Sequence, residues 1–210
     1  MENILRNLES GTSDEKIKIL ENLDDEDNPE LLQKIISKLD DDDVRVRGEA
    51  FSSLLLNENK ISDFLIENLK SVKKNIRGFT SLVLANRNEE SAIPEIIKLV
   101  KDESSMVRSC AIGALGHLKV KDSNEIILQS LSDSNLEVKK SVLQAMINLN
   151  IKISENEIKE IVKEKDDEIE KLLMKLKMSG PEGIWTLDPM HAMHLSYQTR
   201  RPAHIRILIV

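Results

Sequence analysis

Residues 100–118, VKDESSMVRSCAIGALGHL, decide the fold because three similar stretches occur elsewhere in the chain. The three are LDDDDVRVRGEAFSSLLLN (39–57), LKSVKKNIRGFTSLVLANR (69–87) and LSDSNLEVKKSVLQAMINL (131–149). A β-branched residue recurs in the four stretches at intervals of 30, 31 and 31 positions, as Val46, Ile76, Val107 and Val138. Ile169 follows 31 positions later. A period of this length indicates one structural unit used several times.

Each unit has the pattern of two helices joined by a polar turn. Small or apolar residues stand 4, 7 and 8 positions after the β-branched one, as at Ala111, Ala114 and Leu115, and this spacing predicts one stripe on a helix. A polar cluster such as Asp40–Asp43 precedes the stripe, and its oxygens can cap the helix that follows. Another apolar segment lies upstream, for example PELLQKIISKL, whose first residue, Pro29, suits a first helical turn.

A single hairpin of this kind cannot bury its apolar stripe, so the units must stack. The sequence therefore predicts an all-α protein, a right-handed α-solenoid of about six helix-turn-helix units. The units are 1–27, 28–58, 59–89, 90–120, 121–152 and 153–178. Residues 179–210 contain no further copy and are expected to form a poorly ordered tail.

Composition narrows the classes of function. The net charge of the 210 residues is −7 and only 2% of them are aromatic, which disfavours a nucleic-acid partner. The single cysteine forms no intrachain disulfide, and no apolar run approaches the length of roughly 20 residues that a membrane helix needs. MENILRNLES does not have the pattern of a signal peptide. We expect a cytoplasmic protein that binds neither nucleic acid nor membranes.

The repeated frame L-x-D-x-x-x-x-V-R-x-x-A-x-x-A-L resembles the HEAT repeat, and Asp102, Val107, Arg108 and Ala111 represent it best. The short period is most similar to the HEAT-like repeats named after phycobilisome lyases, and the likeness covers residues 1–178. The resemblance implies an armadillo-like helical scaffold.

In that family, the aspartate and the basic residue form a ladder between neighbouring repeats. The resemblance implies structural roles for Asp41 with Arg47, for Asp102 with Arg108 and for Asp133 with Lys139, and also for Arg77. Ser71 replaces the aspartate in the third unit, and Glu170 replaces the basic residue in the sixth. The ladder is therefore predicted to be incomplete.

Some proteins with HEAT-like repeats are enzymes, but the residues that their chemistry needs are missing here. Deoxyhypusine hydroxylases hold two irons with repeated His-Glu pairs, and no histidine of this chain precedes a glutamate. HEAT-like DNA glycosylases need a basic groove with aromatic side chains, and residues 1–178 contain neither Trp nor Tyr. Bilin lyases match the repeat length, and a role of that type stays open as an alternative.

Two further features have a simpler explanation than catalysis or metal binding. Cys110 lies at the edge of the apolar stripe, where a small hydrophobic side chain is expected more often than a nucleophile. The acidic run Asp40–Asp43 lacks the spaced ligands and the glycine of a calcium loop, so it is interpreted as a solvated turn that caps a helix. We expect no catalytic residue, metal or cofactor.

The candidate binding surface is the side of the second helices that lies opposite the apolar stripe. At about 100° per residue, this side falls near positions 2, 6 and 9 after the β-branched residue. The residues are Gly48, Ser52, Leu55, Gly78, Leu82, Ala85, Ser109, Gly113, Gly116, Lys140, Gln144 and Ile147. Lys140 is the one charged member, so the surface suits an apolar peptide or an amphipathic helix. Burial of these positions between neighbouring helices is the alternative.

The segment GPEGIWTLDPMHAMHLSYQTRRP begins at Gly180 and contains the only Trp and the only Tyr of the chain. His191 and His194 form an HxxH pair, which is a weak metal signal without a third ligand. The pattern G-P-E-G-I-x-T-L-D-x-x-H-A, followed by L-S-Y and R-P, resembles tails that arise when a reading frame runs into the complement of a transfer-RNA gene. The resemblance implies a tail without a site, and a genuine binding tail is the alternative.

Together these features predict a non-catalytic scaffold or adaptor that binds a peptide or helix of another protein. The alternative is an enzyme-accessory or cofactor-handling protein of the bilin-lyase type.

Overall fold

The computed structural model describes residues 2–154, 156, 158, 161 and 166–178, and these residues form helices and turns without a strand. Eleven helices are defined by their bounds within this part of the chain. They are α1 (Glu2–Ser10), α2 (Ser13–Leu20), α3 (Pro29–Ser37), α4 (Val44–Leu56), α5 (Ser62–Asn68), α6 (Lys74–Asn86), α7 (Ile93–Leu99), α8 (Ser105–His117), α9 (Asn124–Gln129), α10 (Leu136–Leu149) and α11 (Asp167–Met178).

The helices pair as the period predicts. Hairpins form between α1 and α2, α3 and α4, α5 and α6, α7 and α8, and α9 and α10. The second helices pack on one another in the order α2, α4, α6, α8, α10 and α11. The predicted all-α solenoid is thereby confirmed, whereas the count of six units stays a prediction. The predicted tail, residues 179–210, lies outside the described residues.

Helix starts follow the predicted capping at α4 and α10 and the predicted first-turn proline at α3. Asn28 accepts hydrogen bonds from the backbone N–H groups of Glu30 and Leu31, and Pro29 occupies the first turn of α3. Asp43 caps α4 and Asn135 caps α10 in the same way. No side chain caps α6 or α8, so the polar cluster has a different role in those units.

The core consists of the predicted stripes. The β-branched residues are almost fully buried, with 0% of the surface of Val46, Val107 and Val138 exposed and 7% of that of Ile76. Buried aliphatic side chains continue from Leu8 to Leu176 as one cluster. Each hairpin therefore depends on its neighbours for the burial of its apolar face.

A polar ladder joins consecutive units along one edge. The Nη1 group of Arg77 donates to the carbonyl oxygen of Ser71 in its own turn, at 2.8 Å. Its Nε and Nη2 groups donate to both carboxylate oxygens of Asp102 in the next unit, at 2.8 and 2.9 Å. Arg108 binds the carbonyl of Asp102 at 2.9 Å and the carboxylate of Asp133 at 2.7 and 3.0 Å. Each arginine thus ties its own turn to the following one.

The register of this ladder shows which side chains pair between neighbouring units. Arg108 contacts only the backbone carbonyl of Asp102, because the Asp102 carboxylate is taken by Arg77 of the preceding unit. The carboxylate of Asp41 likewise accepts from Lys16 of the first unit, at 2.8 Å. The basic partner therefore stands 25 positions before the aspartate, as in the pairs Lys16–Asp41, Arg77–Asp102 and Arg108–Asp133.

Arg47 and Lys139 complete the set of predicted ladder residues. Arg47 donates to the carbonyl oxygens of Asp41 and Asp42, at 2.8 and 3.1 Å, and to no carboxylate among the described residues. Ser71 occupies the position of the aspartate that would bind Arg47, so the predicted gap in the ladder is present at this junction. Lys139 is close enough to Asp133 for its charge to lower the pKa of that carboxyl.

The ion pairs between consecutive units, which are the rungs of the ladder, make the stability of the fold depend on pH. Burial raises the pKa of Asp102, but hydrogen bonds from Arg77 and from the backbone N–H of Ser104 outweigh it, so the pKa lies below the ordinary 3.8. The pKa values of Asp41 and Asp133 are lowered too, by Lys16 and by Arg108 respectively. Because the folded state binds protons more weakly than the unfolded state, these carboxylates stabilise the fold above the ordinary pKa. Their contribution is lost as the pH falls through the lowered values.

We predict that Asp102→Asn lowers the free energy of unfolding at pH 7 by about 1.5 to 3 kcal/mol, because a nearly buried arginine loses its charged partner. The variant should also lose less stability than the wild type between pH 5 and pH 3, because it has one fewer carboxylate whose pKa is lowered by folding. Urea unfolding at pH 7, pH 5 and pH 3 measures both effects. Equal losses on acidification in the two proteins would contradict the role of the rung.

Close packing of the second helices depends on one glycine of α8. A Cβ atom at Gly116 would lie 2.7 Å from the Cα of Ala145 in α10, which is too close for any side chain. A Cβ atom at Gly113, one turn earlier in the same helix, would have no atom within 4 Å. The two glycines therefore have different reasons for their presence.

We predict opposite effects of alanine at these two positions. Gly113→Ala should raise the free energy of unfolding by roughly 0.5 to 1 kcal/mol, because alanine restricts the unfolded chain and favours the helix. Gly116→Ala should lower it by about 1 to 3 kcal/mol, because α8 and α10 must move apart. Urea denaturation of the two variants provides the comparison, and stabilisation by both would show that the helices are not in close contact.

Candidate protein-binding face

The structure divides the twelve residues of the predicted binding surface into two groups. Seven are exposed or half-buried: Gly48, Ser52, Leu55, Gly113, Lys140, Gln144 and Ile147. Five are buried: Gly78, Leu82, Ala85, Ser109 and Gly116. The buried five do not contact solvent, so their assignment to an accessible surface needs correction.

The reason for the burial is direct packing of one second helix on the next. A Cβ atom at Gly78 in α6 would lie 2.8 Å from the sulfur of Met106 and 3.3 Å from that of Cys110, both in α8. The hydroxyl oxygen of Ser109 in α8 lies 2.7 Å from that of Ser141 in α10. Position 2 therefore turns towards the following unit in α6 and α8, whereas a Cβ atom at Gly48, the same position of α4, would have no atom within 4 Å.

The accessible side of the second helices lies at different positions. The residues one position before and ten positions after the β-branched residue are unburied in α4, α6, α8 and α10. They are Arg45, Leu56, Asn75, Asn86, Met106, His117, Glu137 and Asn148. Position 6 is accessible in three of these helices, as Ser52, Gly113 and Gln144. We call these eleven residues the open face, and its direction differs by roughly 50° from the predicted one.

The error in direction has a geometric cause. The prediction placed the free side of each helix opposite its apolar stripe, as for a helix with one neighbour. A second helix in the stack has three neighbours, namely its own first helix and the second helices on either side. Polar side chains spaced by eleven positions, such as Asn75 with Asn86 and Glu137 with Asn148, are the sequence signal that marks the accessible side.

Carboxamide side chains dominate the polar chemistry of the open face. The Nδ2 group of Asn86 donates to the carbonyl oxygen of Leu82 at 2.8 Å, which directs its amide oxygen away from the helix backbone. Gln144 donates to the Oδ1 atom of Asn148 at 3.0 Å. These two contacts leave the amide oxygens of Asn86 and Gln144 as acceptors for an external donor.

A charged cleft of about 720 Å³ adjoins the open face at α11, and its walls include Gln144, Lys171 and Leu172. Lys140 lies in this cleft with carboxylates of Glu137, Asp166 and Glu168 at 3.1 to 3.2 Å. Hydrogen bonds to these carboxylates raise the pKa of Lys140 above its ordinary value. The lysine is therefore a structural cation that links α10 to the start of α11.

The acidic run at residues 40–43 has a separate structural contact for three of its members. Asp40 accepts a hydrogen bond from Asn75 at 2.8 Å, and Asp41 accepts one from Lys16. Asp43 caps α4 and binds the side chain of Arg45. No group of three His, Cys, Asp or Glu side chains in the described part of the chain is arranged to hold a metal ion.

Comparison with known proteins agrees with this geometry. The stack of helical hairpins is an α-solenoid. Residues 62–147 match the family model of HEAT repeats. No curated protein matches the chain in sequence. None of the helices that the structure describes is long and apolar enough to span a bilayer.

Several solved structures are similar to this chain at low sequence identity. One is the complex of CpcE and CpcF of phycocyanin lyase from Nostoc sp. PCC7120, with 14% identity and a TM-score of 0.50, covering 84% of this chain and 93% of that one. Another is a designed armadillo repeat protein in complex with the peptide (KR)4, with 16% identity and a TM-score of 0.47, covering 84% and 98%. HEAT and armadillo solenoids are generally non-catalytic scaffolds that bind proteins.

The environment of Cys110 gives a prediction about reactivity. The side chain is fully buried, and burial raises the pKa of its thiol to about 12. Because the thiolate is the reactive form, a disulfide reagent at pH 8 should label the folded protein only at the rate at which it opens. Labelling should be complete in denaturant. Fast stoichiometric labelling of the folded protein would show that Cys110 is accessible.

Proposed function

We propose that this protein is a non-catalytic scaffold that binds a peptide or an amphipathic helix of another protein along the open face. The observation that carries the proposal is the low charge of that face. Only Arg45 and Glu137 of its eleven residues are charged, whereas charged residues make up 32% of the chain. Depletion of charge is typical of the centre of a protein interface.

The amide groups of the open face suit a peptide backbone. A peptide presents both N–H donors and carbonyl acceptors, and a carboxamide side chain can bind either kind of group. Gly113 allows close approach, because no atom lies within 4 Å of the place of its missing Cβ. Leu56, with 63% of its surface exposed, and the half-buried Met106 offer apolar contacts to the same partner.

Other partner classes are supported less well. The net charge of −7 opposes binding to a phosphate backbone, and the open face has no aromatic side chain on which bases would stack. For a bilin-lyase type of role, a tetrapyrrole would need an apolar pocket. Clefts of about 720 and 410 Å³ are lined mainly by charged and polar residues. We therefore favour a protein partner, and place the scaffold in the cytoplasm with residues 1–178 as the binding domain.

We predict that Gln144→Glu together with Asn148→Asp weakens partner binding by at least about tenfold, because two negative charges enter a face with few charges. The matched control is Gln129→Glu together with Asn124→Asp on α9, which makes the same two changes at exposed positions of a first helix. A protein captured by full-length wild type would be identified by mass spectrometry, and its affinity for the three proteins measured by calorimetry.

Comparison of the α10 variant with the α9 control shows whether the partner binds the open face or the first helices. Loss of affinity in the α10 variant, with unchanged affinity in the α9 control, supports binding along the open face. Equal affinity for all three proteins would contradict it. Circular dichroism of both variants checks that the helices remain folded.

A further inference from the structure

The ladder lacks a carboxylate in the turn before α6, where Ser71 replaces the aspartate. The aspartates of the other turns have two functions. Asp102, for example, accepts a hydrogen bond from the backbone N–H of Ser104 at 2.9 Å and also binds the arginine of the preceding unit. Ser71 keeps the first function, because its hydroxyl accepts from the N–H of Lys73 at 3.3 Å. A hydroxyl does not replace the second, because it cannot receive two parallel hydrogen bonds as a carboxylate does.

Arg47 is the arginine that this gap leaves without a carboxylate. Its Nη1 group is bound to the carbonyl of Asp41 at 2.8 Å, as that of Arg77 is bound to the carbonyl of Ser71. In Arg77, the Nε and Nη2 groups then hold a carboxylate. The same two groups of Arg47 have no hydrogen-bond partner among the described residues, and they are not among the buried unpaired atoms. They are therefore oriented donors in contact with solvent.

The surroundings of Arg47 are open. A Cβ atom at Gly48 would have no atom within 4 Å, whereas the equivalent Gly78 packs against Met106. Val44 and Val72, which flank the turns at this end, have 66% and 91% of their surface exposed. α4 and α6 also pack less closely than α6 and α8. A group from outside the chain thus has access to the guanidinium.

The charges nearby include both signs. Lys74 is exposed, and Lys73 lies 3.5 Å from the carboxylate of Asp40. Asp42 is exposed and presents its carbonyl to Arg47. Arg45 is occupied by Asp14 and Asp43. Of the two guanidinium groups of Arg45 and Arg47, that of Arg47 therefore has a pair of available N–H donors, at Nε and Nη2.

We propose that the Nε and Nη2 groups of Arg47 form a binding site for an oxyanion, which completes the missing rung. The ligand is a carboxylate or a phosphate group, since both have the two oxygens that a guanidinium binds side by side. A carboxylate would come from the acidic side chain of a bound protein, and a phosphate from a free ion or an ester. The inference does not depend on the proposed function.

The test uses NMR of the full chain, in which the Nε–H signal of each arginine is followed at constant ionic strength. Acetate is added in one titration and inorganic phosphate in another. The Arg47 signal should shift and saturate, while the signals of Arg77 and Arg108 stay in place because their donors are occupied. Saturation with acetate at the lower concentration identifies a carboxylate site, and saturation with phosphate at the lower concentration identifies a phosphate site.

Two variants make the result specific. Ser71→Asp supplies the carboxylate from within the chain and should raise the half-saturating concentration by about tenfold or more. Ser91→Asp adds the same charge at an exposed position in the turn before α7 and should leave that concentration unchanged. A shift of Arg47 that follows that of Arg45 without saturation, or a Ser71→Asp variant that binds like the wild type, would overturn the proposal.

Discussion

The structure depends on the inability of a hairpin of about thirty residues to bury its own apolar stripe. Each second helix buries that stripe on its first helix and both flanks on the preceding and following second helices. Three of its four sides are therefore occupied by the stack. The remaining side is narrow, and a partner can reach it through residues of α6 and α8 such as Asn86 and Gly113. Packing thus determines the direction of the candidate site as well as the fold.

The sequence predicted the elements that depend on neighbours along the chain. The 31-residue period, the stripe of Val107, Ala111 and Ala114, and the first-turn Pro29 each report on a single helix or hairpin, and the structure confirms them. Contacts between units were harder to predict. The pairing of Arg77 with Asp102 spans 25 positions and crosses a unit boundary, whereas an alignment of the units places Asp102 beside Arg108. The burial of Gly78 likewise depends on Met106, which belongs to another unit.

The open face combines two features that rarely coincide on a surface helix. Its side chains are polar, yet few of them carry charge, and several hold one hydrogen bond within the fold while keeping a second one available. Asn86 and Gln144 are bound on one side by their own helix. Such side chains lose little freedom when a partner arrives, because the fold has already restricted their rotation. A scaffold without aromatic anchors can use this kind of preorganisation.

The junction between α4 and α6 is fastened unevenly. Arg87 reaches back from the end of α6 to the carbonyl oxygens of Leu54 and Asn59, at 3.2 and 3.0 Å. At the opposite edge, the hydrogen bond from Asn75 to Asp40, at 2.8 Å, stands in place of an arginine–aspartate pair. A single hydrogen bond between neutral and charged side chains holds two units together less firmly than the two parallel hydrogen bonds of an arginine–carboxylate pair. The junction between the first two hairpins and the rest of the array is therefore held more firmly at the edge of Arg87 than at the edge of the ladder. A rotation about the contacts of Arg87 would break the hydrogen bond between Asn75 and Asp40 but no arginine–aspartate pair, so it would cost less here than at the junctions that Arg77 and Arg108 close.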